Sequence, residues 1–161
     1  MRYARVSVGG RPVWGRVGDR DIELLSGSPL DEAAHHVTGT LPREDAHWLP
    51  PVVPFVFYAV GLNYPRHIAH TGAPVPERPE VGYRANNALT GHLAPIVRPA
   101  EVTGRFEAEP ELVAVIGRTL RHADHDQARE AVFGWTVGND VSARTWQHQD
   151  RTFWRSKNSD T

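Results

Sequence analysis

Cysteine is missing from the 161 residues. Its absence excludes disulfides and thiol catalysis and fits a cytoplasmic protein. Long apolar runs are missing too. None reaches the roughly 18 residues that a membrane-spanning helix needs. The N-terminal MRYARVSVGG lacks the apolar core of a signal peptide. An excess of charge of either sign is also lacking: 18 Lys+Arg face 19 Asp+Glu, for a net charge of −1. Without a basic stripe, neither nucleic acid nor an anionic membrane surface is an expected partner. Lysine is nearly absent. Of the 18 basic residues one is lysine, Lys157, and the other 17 are arginine. In a chain so biased, the lone lysine marks a position where a planar guanidinium would not serve.

Turn formers, by contrast, are plentiful. Thirteen prolines and fourteen glycines, with few long helical patterns, favour a β-rich and loop-rich fold. Residues 2–8, Gly9-Gly10 and 12–17 read as strand, tight turn and strand. Residues 22–25 form a third short strand, and 30–37 a short helix with Asp31 as cap. The stretch HWLPPVVP at 47–54 carries three prolines, so neither a helix nor a central strand fits it. It reads as a linker. Residues 1–50 are therefore expected to be a small N-terminal β domain without chemistry of its own, and 51–161 a second unit. His35-His36 has no recognised metal-ligand spacing and reads as exposed loop.

The most informative stretch is RFEAEPELVAVIGR at 105–118. Glu107, Glu109 and Glu111 are spaced by two and run into an apolar strand at 112–116, ended by Gly117. If the strand reaches back over the acidic run, all three carboxylates share a face. Like charges about 6–7 Å apart repel by roughly 2–3 kcal/mol per pair at an effective dielectric near 20. A cation or a shared proton would relieve that repulsion, so this is read as half of a divalent-metal site. A later strand at 133–137 ends in Gly138-Asn139-Asp140. Asp140 is either the third ligand or a turn aspartate following Asn139. Between these strands, Asp124 and Gln127 open a helix running to about Val132.

Upstream, an apolar strand at 55–61 empties into Leu62-Asn63-Tyr64 and a short helix led by Pro65. His67 and His70 lie three apart on it and would share a face. Three readings compete: His67 as a general base, the pair as zinc ligands together with Glu107, or two surface histidines. The proline-rich loop at 71–80 is a connector or a lid. Residues 81–89, containing Tyr83-Arg84, follow it.

Four segments in order resemble the fumarylacetoacetate hydrolase family: GLNYPRH at 61–67, EPELVAVIGR at 109–118, GWTVGNDVSAR at 134–144 and WRSKNSDT at 154–161. The resemblance covers the whole chain. It implies an α+β, mostly β fold: a small N-terminal β domain followed by a β-roll, a mixed β-sandwich with short helices. By this resemblance the metal ligands are Glu109, Glu111 and Asp140, with Glu107 outside the ligand pair. The active-site histidine falls on His67, and the substrate-contacting groups on Tyr64, Arg144, Gln147 and Lys157. Three carboxylates suit Mg²⁺ or Mn²⁺, with Ca²⁺ as a further candidate. The implied chemistry is C–C bond hydrolysis, decarboxylation or tautomerisation of a small 2-oxo acid or 1,3-diketo acid, through an enolate stabilised by the metal and Lys157. A homodimer is implied by analogy.

The sequence departs from the family at three points. Bacterial-type members often carry a glutamate three residues after the histidine, where this chain has His70; that favours decarboxylation or tautomerisation over hydrolysis. Arg84 stands where the family has a lysine after the proline loop. The family also continues beyond the position of Thr161 through further strands, so the chain is expected to be a fragment, to be completed by a partner, or to be a shortened relative. The contrasting expectation is a catalytically degenerate member that keeps the fold as a binding or scaffold protein.

Overall fold

A computed structural model of the chain describes residues 1–31 and 35–160. The fold is α+β and mostly β, as expected. It forms two compact units. One comprises Met1–Val52, Gly91–Ala94 and Ala108–Val141; the other comprises Val53–Thr90, Pro95–Glu107 and the chain from Ser142 onward. No described helix is long and apolar enough to cross a membrane.

The first unit opens with strands β1 (Tyr3–Val8) and β2 (Arg11–Val17), paired antiparallel. Gly9 and Gly10 join them with φ of +56° and +77°. A two-residue hairpin turn of this hand needs positive φ at both positions, which glycine supplies without strain. Strands β3 (Asp21–Leu25), β4 (Val37–Pro42) and β5 (His47–Leu49) complete a sheet of order β4-β3-β2-β1-β5. Two expectations need correction. The linker proposed at 47–54 gives up its first three residues to an edge strand, and its prolines follow the ladder rather than interrupt it. The helix expected over 30–37 includes residues 32–34, which lie outside the described residues, and its last residue, Val37, already opens β4.

Val6 and Ile22 are fully buried and Leu25 nearly so, forming the apolar core of this sheet. Gly15 sits against Ile22: a Cβ there would overlap Ile22 Cγ2. A Gly15→Ala variant is therefore expected to lose about 1–3 kcal/mol by overpacking. The check is a urea midpoint that falls while the slope of the transition is unchanged.

Beyond the linker come β6 (Phe57–Gly61), α1 (Pro65–Thr71), β7 (Glu80–Arg84), β8 (Phe106–Glu107), β9 (Pro110–Ile116), α2 (His125–Glu130), β10 (Val132–Asn139), β11 (Ser142–Ala143), α3 (Arg144–Gln147) and α4 (Trp154–Lys157). In the second unit β6 pairs with β7, and β8 with β11. In the first, β9 pairs with β10, with a bulge between Val132 and Gly134. Asp124 and Gln127, expected to open this helix, form a capping box at α2: Gln127 N–H donates to the Asp124 side chain and Asp124 N–H to the Gln127 side chain. The helix stops at Glu130, two residues earlier than the sequence suggests.

The acidic run is not one strand. β8 ends at Glu107 and β9 begins at Pro110. Proline has no N–H for a ladder and fits the first residue of a strand, so the break falls there. Glu107 pairs with Ser142 and Glu111 with Gly138, in different sheets. The expectation that three carboxylates line one face of a continuous strand is thus corrected: Glu107 lies on β8, Glu109 in the break and Glu111 on β9.

Candidate metal centre

Along β9, half-buried and exposed residues alternate. Glu111, Val113 and Val115 share the covered side, while Leu112 and Ile116 face outward. Glu109 lies just before the strand and is held there by two bonds from the end of β10. Asn139 Oδ1 accepts from Glu109 N–H at 2.9 Å. Asp140 N–H donates to the Glu109 carbonyl, also at 2.9 Å. These bonds extend the β9–β10 pairing past its last ladder position and draw Asp140 alongside Glu109. Asn139, a turn residue by its place in the sequence, is through its side chain a clamp on the acidic segment.

The result is a cluster. One carboxylate oxygen from each of Glu109, Glu111 and Asp140 lies within 4.8 Å of the others, and all three residues are half-buried. At that separation, an effective dielectric near 20 gives about 3 kcal/mol or more of repulsion per ionised pair. Two oxygens sharing one ion at about 2.1–2.4 Å can be no farther apart than about 4–5 Å. The donor set is all oxygen and all anionic, which suits a hard divalent cation and not a soft one. Among the described residues this is the one group of three potential ligands that converges. The zinc reading, which needed His67, His70 and Glu107 together, has no such convergence.

In the second unit, α1 carries both histidines. Pro65 takes its first position and Ile68 is its single buried residue. Tyr64 precedes it in extended conformation, and Tyr64, His67 and His70 are all exposed. Leu62, two residues earlier, has φ +48°. A left-handed backbone at a non-glycine residue costs of order 1–3 kcal/mol and concentrates at functional turns.

Lys157 ends the four-residue helix α4 and is buried, at 8% exposure, next to buried Ser156. Several bonds fix this helix. Ser156 Oγ donates to the Phe153 carbonyl at 2.9 Å and Asn158 Nδ2 to the Trp154 carbonyl at 2.8 Å. Asn158 Oδ1 accepts from Ala85 N–H, just after β7. Phe153, at φ +57°, turns the chain into the helix. Asp150 accepts from Arg155 N–H and from the Thr152 backbone and hydroxyl. Burial works against its ionisation, yet these donors prevail and hold its carboxyl below the ordinary aspartate range. Arg84 is half-buried at the end of β7, and one of its Nη groups donates to the Tyr83 carbonyl at 3.1 Å.

Arg144 and Gln147 do come together. Arg144 Nη1 donates to Gln147 Oε1 at 2.8 Å, and Arg144 Nε donates to Glu107 Oε2 at 2.8 Å. Glu107 Oε1 accepts from Arg105 at 2.6 Å. The hydrogen bonds from Arg144 and then Arg105 hold the Glu107 carboxyl below the usual glutamate range. Glu107 is therefore engaged by arginines through both oxygens.

Residues 56–161 match the family model described as Fumarylacetoacetate (FAA) hydrolase C-terminal, and residues 1–51 match the one described as Rv2993c-like, N-terminal. Protein Rv2993c of Mycobacterium tuberculosis is 36% identical over 137 residues, spanning 81% of this chain and 51% of that protein. Oxaloacetate tautomerase YisK of Bacillus subtilis is 35% identical over 104 residues, 63% of this chain and 35% of that one. The solved structure of 5-carboxymethyl-2-hydroxymuconate delta-isomerase from Mycobacterium smegmatis superposes with a TM-score of 0.85 at 32% identity, covering all of this chain and 63% of that one. The chain thus spans about half the length, or less, of these curated relatives.

Proposed function

The chain belongs to the fumarylacetoacetate hydrolase family, and from that premise we propose that it is a divalent-metal-dependent enzyme interconverting the enol and keto forms of a small 2-oxo acid. The observation that carries this reading is the convergence of Glu109, Glu111 and Asp140. Relatives that are an oxaloacetate tautomerase and a delta-isomerase support isomerisation as the reaction class. On this reading residues 1–50 are an N-terminal β domain and 51–161 carry the chemistry. A second copy of the chain is the expected assembly partner.

Glu109, Glu111 and Asp140 would hold Mg²⁺ or Mn²⁺, with Ca²⁺ as a further candidate. Such a cation supplies Lewis acidity toward the 2-oxo group. The remaining work falls to side chains. On the family resemblance, Arg144 and Gln147 would bind the substrate carboxylate, and Tyr64 and Arg84 would be further substrate contacts. A ring nitrogen of His67 takes the enol O–H proton and returns one to the adjacent carbon, so the reaction balances without a co-reactant. On the family resemblance, the Lys157 ammonium would offset the negative charge that develops on the substrate oxygen. His70, in the place of a glutamate, can relay a proton but does not hold a partner as a carboxylate does. Tautomerisation needs no activated water, so the substitution is compatible with it.

The test uses the purified chain and freshly dissolved enol-oxaloacetate. Loss of the enol absorbance should be faster than with free Mg²⁺ alone, and EDTA should abolish the difference. A rate equal to that of free Mg²⁺ would overturn the reading. Release of CO₂, or cleavage of acetylpyruvate, at a higher rate than tautomerisation would move the reaction class to decarboxylation or hydrolysis.

A further inference from the structure

The acidic run has three glutamates and the metal reading uses two. The third, Glu107, has a role that rests on the function proposed above. Glu107 lies on β8, whose partner β11 ends one residue before Arg144. The pairing continues past the strands, because Arg144 N–H donates to the Arg105 carbonyl at 2.9 Å. Arg144 is thus fixed at its backbone by the segment that carries Glu107. Its side chain is fixed by the same segment, through Nε to Glu107 Oε2. The pair is mostly covered, with Arg144 at 21% and Glu107 at 31% side-chain exposure.

A guanidinium is planar, so two anchored nitrogens set its plane. Nε is anchored on Glu107 and Nη1 on Gln147 Oε1. The second bond also orients Gln147: with Oε1 turned to Arg144, the Nε2 amide donors are turned away from it. Glu107 itself is steadied from its far side by Arg105. Gly104 adds to this, since a Cβ there would overlap Thr145 Oγ1, beside Arg144 on α3. Close approach of the 104–107 segment to the start of α3 is therefore built into the sequence.

We propose that Glu107 is a positioning residue: by anchoring Arg144, and through it Gln147, it fixes the donor pair that receives the carboxylate of a 2-oxo acid. Such a role predicts a specific kinetic pattern. The carboxylate is bound alike before and during proton transfer, so loosening its donors weakens binding uniformly. KM rises and kcat is nearly unchanged.

Three measurements test it. First, in the wild-type chain the Arg144 Nε–H proton should exchange with water much more slowly than that of an exposed arginine, read by ¹⁵N NMR with Arg144→Lys to assign the signal. Exchange at the exposed rate would overturn the proposal. Second, Glu107→Gln should raise KM for oxaloacetate about tenfold or more while kcat stays within about threefold. An unchanged KM, or a loss confined to kcat, would overturn it. Third, Glu107→Asp keeps the charge and should restore part of the lost affinity; it also serves if Glu107→Gln fails to fold. A KM for the aspartate variant as high as that of a folded glutamine variant, or unchanged from wild type where glutamine does not fold, would overturn the proposal. A wild-type chain with no Mg²⁺-dependent turnover sinks the proposed function itself. Turnover with a KM insensitive to Glu107 sinks only the role given to this residue.

Discussion

Glu109→Gln and Asp140→Asn are each expected to lower Mn²⁺ affinity by on the order of 100-fold or more. Removing a group that merely supports a ligand commonly costs 10–100-fold, and removing the ligand's own charge should cost at least the upper end of that range. The substitutions are nearly isosteric, so the bonds from Asn139 and Asp140 to the Glu109 backbone should survive them. Glu107→Gln is the internal control. It removes the same charge two residues away, yet both its oxygens already serve arginines. Its Mn²⁺ affinity should stay within about threefold of wild type. Titration followed by Mn²⁺ EPR gives all three values. Full affinity in both Glu109→Gln and Asp140→Asn would sink the metal centre. A loss of equal size in Glu107→Gln would mean that bulk negative charge, and not a defined ligand set, holds the ion.

Lys157→Met is expected to lower kcat by about 10²–10³-fold, the usual cost of deleting one donor that faces developing negative charge. Lys157→Arg should rescue little of this. The ammonium sits in a mostly buried position at the end of a four-residue helix. A guanidinium is larger, flat and forked, and it would not occupy the same point. Kinetics with oxaloacetate and Mg²⁺ make the measurement. A urea midpoint taken alongside separates lost chemistry from lost fold. Wild-type kcat in the arginine variant would show that charge alone matters and that the scarcity of lysine carries no functional message.

Much of this was legible in the chain. Gly9-Gly10 announced the first hairpin because positive φ at two successive positions has few other solutions. Asp124 and Gln127 announced the start of α2. The short, branched apolar run at 112–116, ended by Gly117, announced β9. What was not legible came from pairing between distant segments. Strand β5 exists because β1 offers it an edge, which outweighs the poor local propensity of a proline-rich stretch. Pro110 divides the acidic run, although spacing by two invites a single strand. Spacing singled out Glu107, Glu109 and Glu111 alike, the end of the strand at 133–137 offered Asp140, and the family resemblance set Glu107 aside. That the oxygens of Glu109, Glu111 and Asp140 meet depends on Asn139, whose side-chain bond to Glu109 has no local signature. Similarly, Arg144 and Gln147 are three apart and readily seen as neighbours, while their tie to Glu107 spans 37 residues.

The β9–β10 pairing has a consequence for how the protein reaches its folded state. Residue 111 stands opposite 138, and Glu109 is clamped by 139 and 140. A slip of one position would turn Glu111 to the opposite face and release the clamp. The carboxylates thus meet only when this hairpin is in register, and they meet through contacts about 30 residues apart in sequence. A cation at 100 times its dissociation constant would favour that one register by about 2.7 kcal/mol. The ion would then select the correct strand alignment at equilibrium, independently of any substrate.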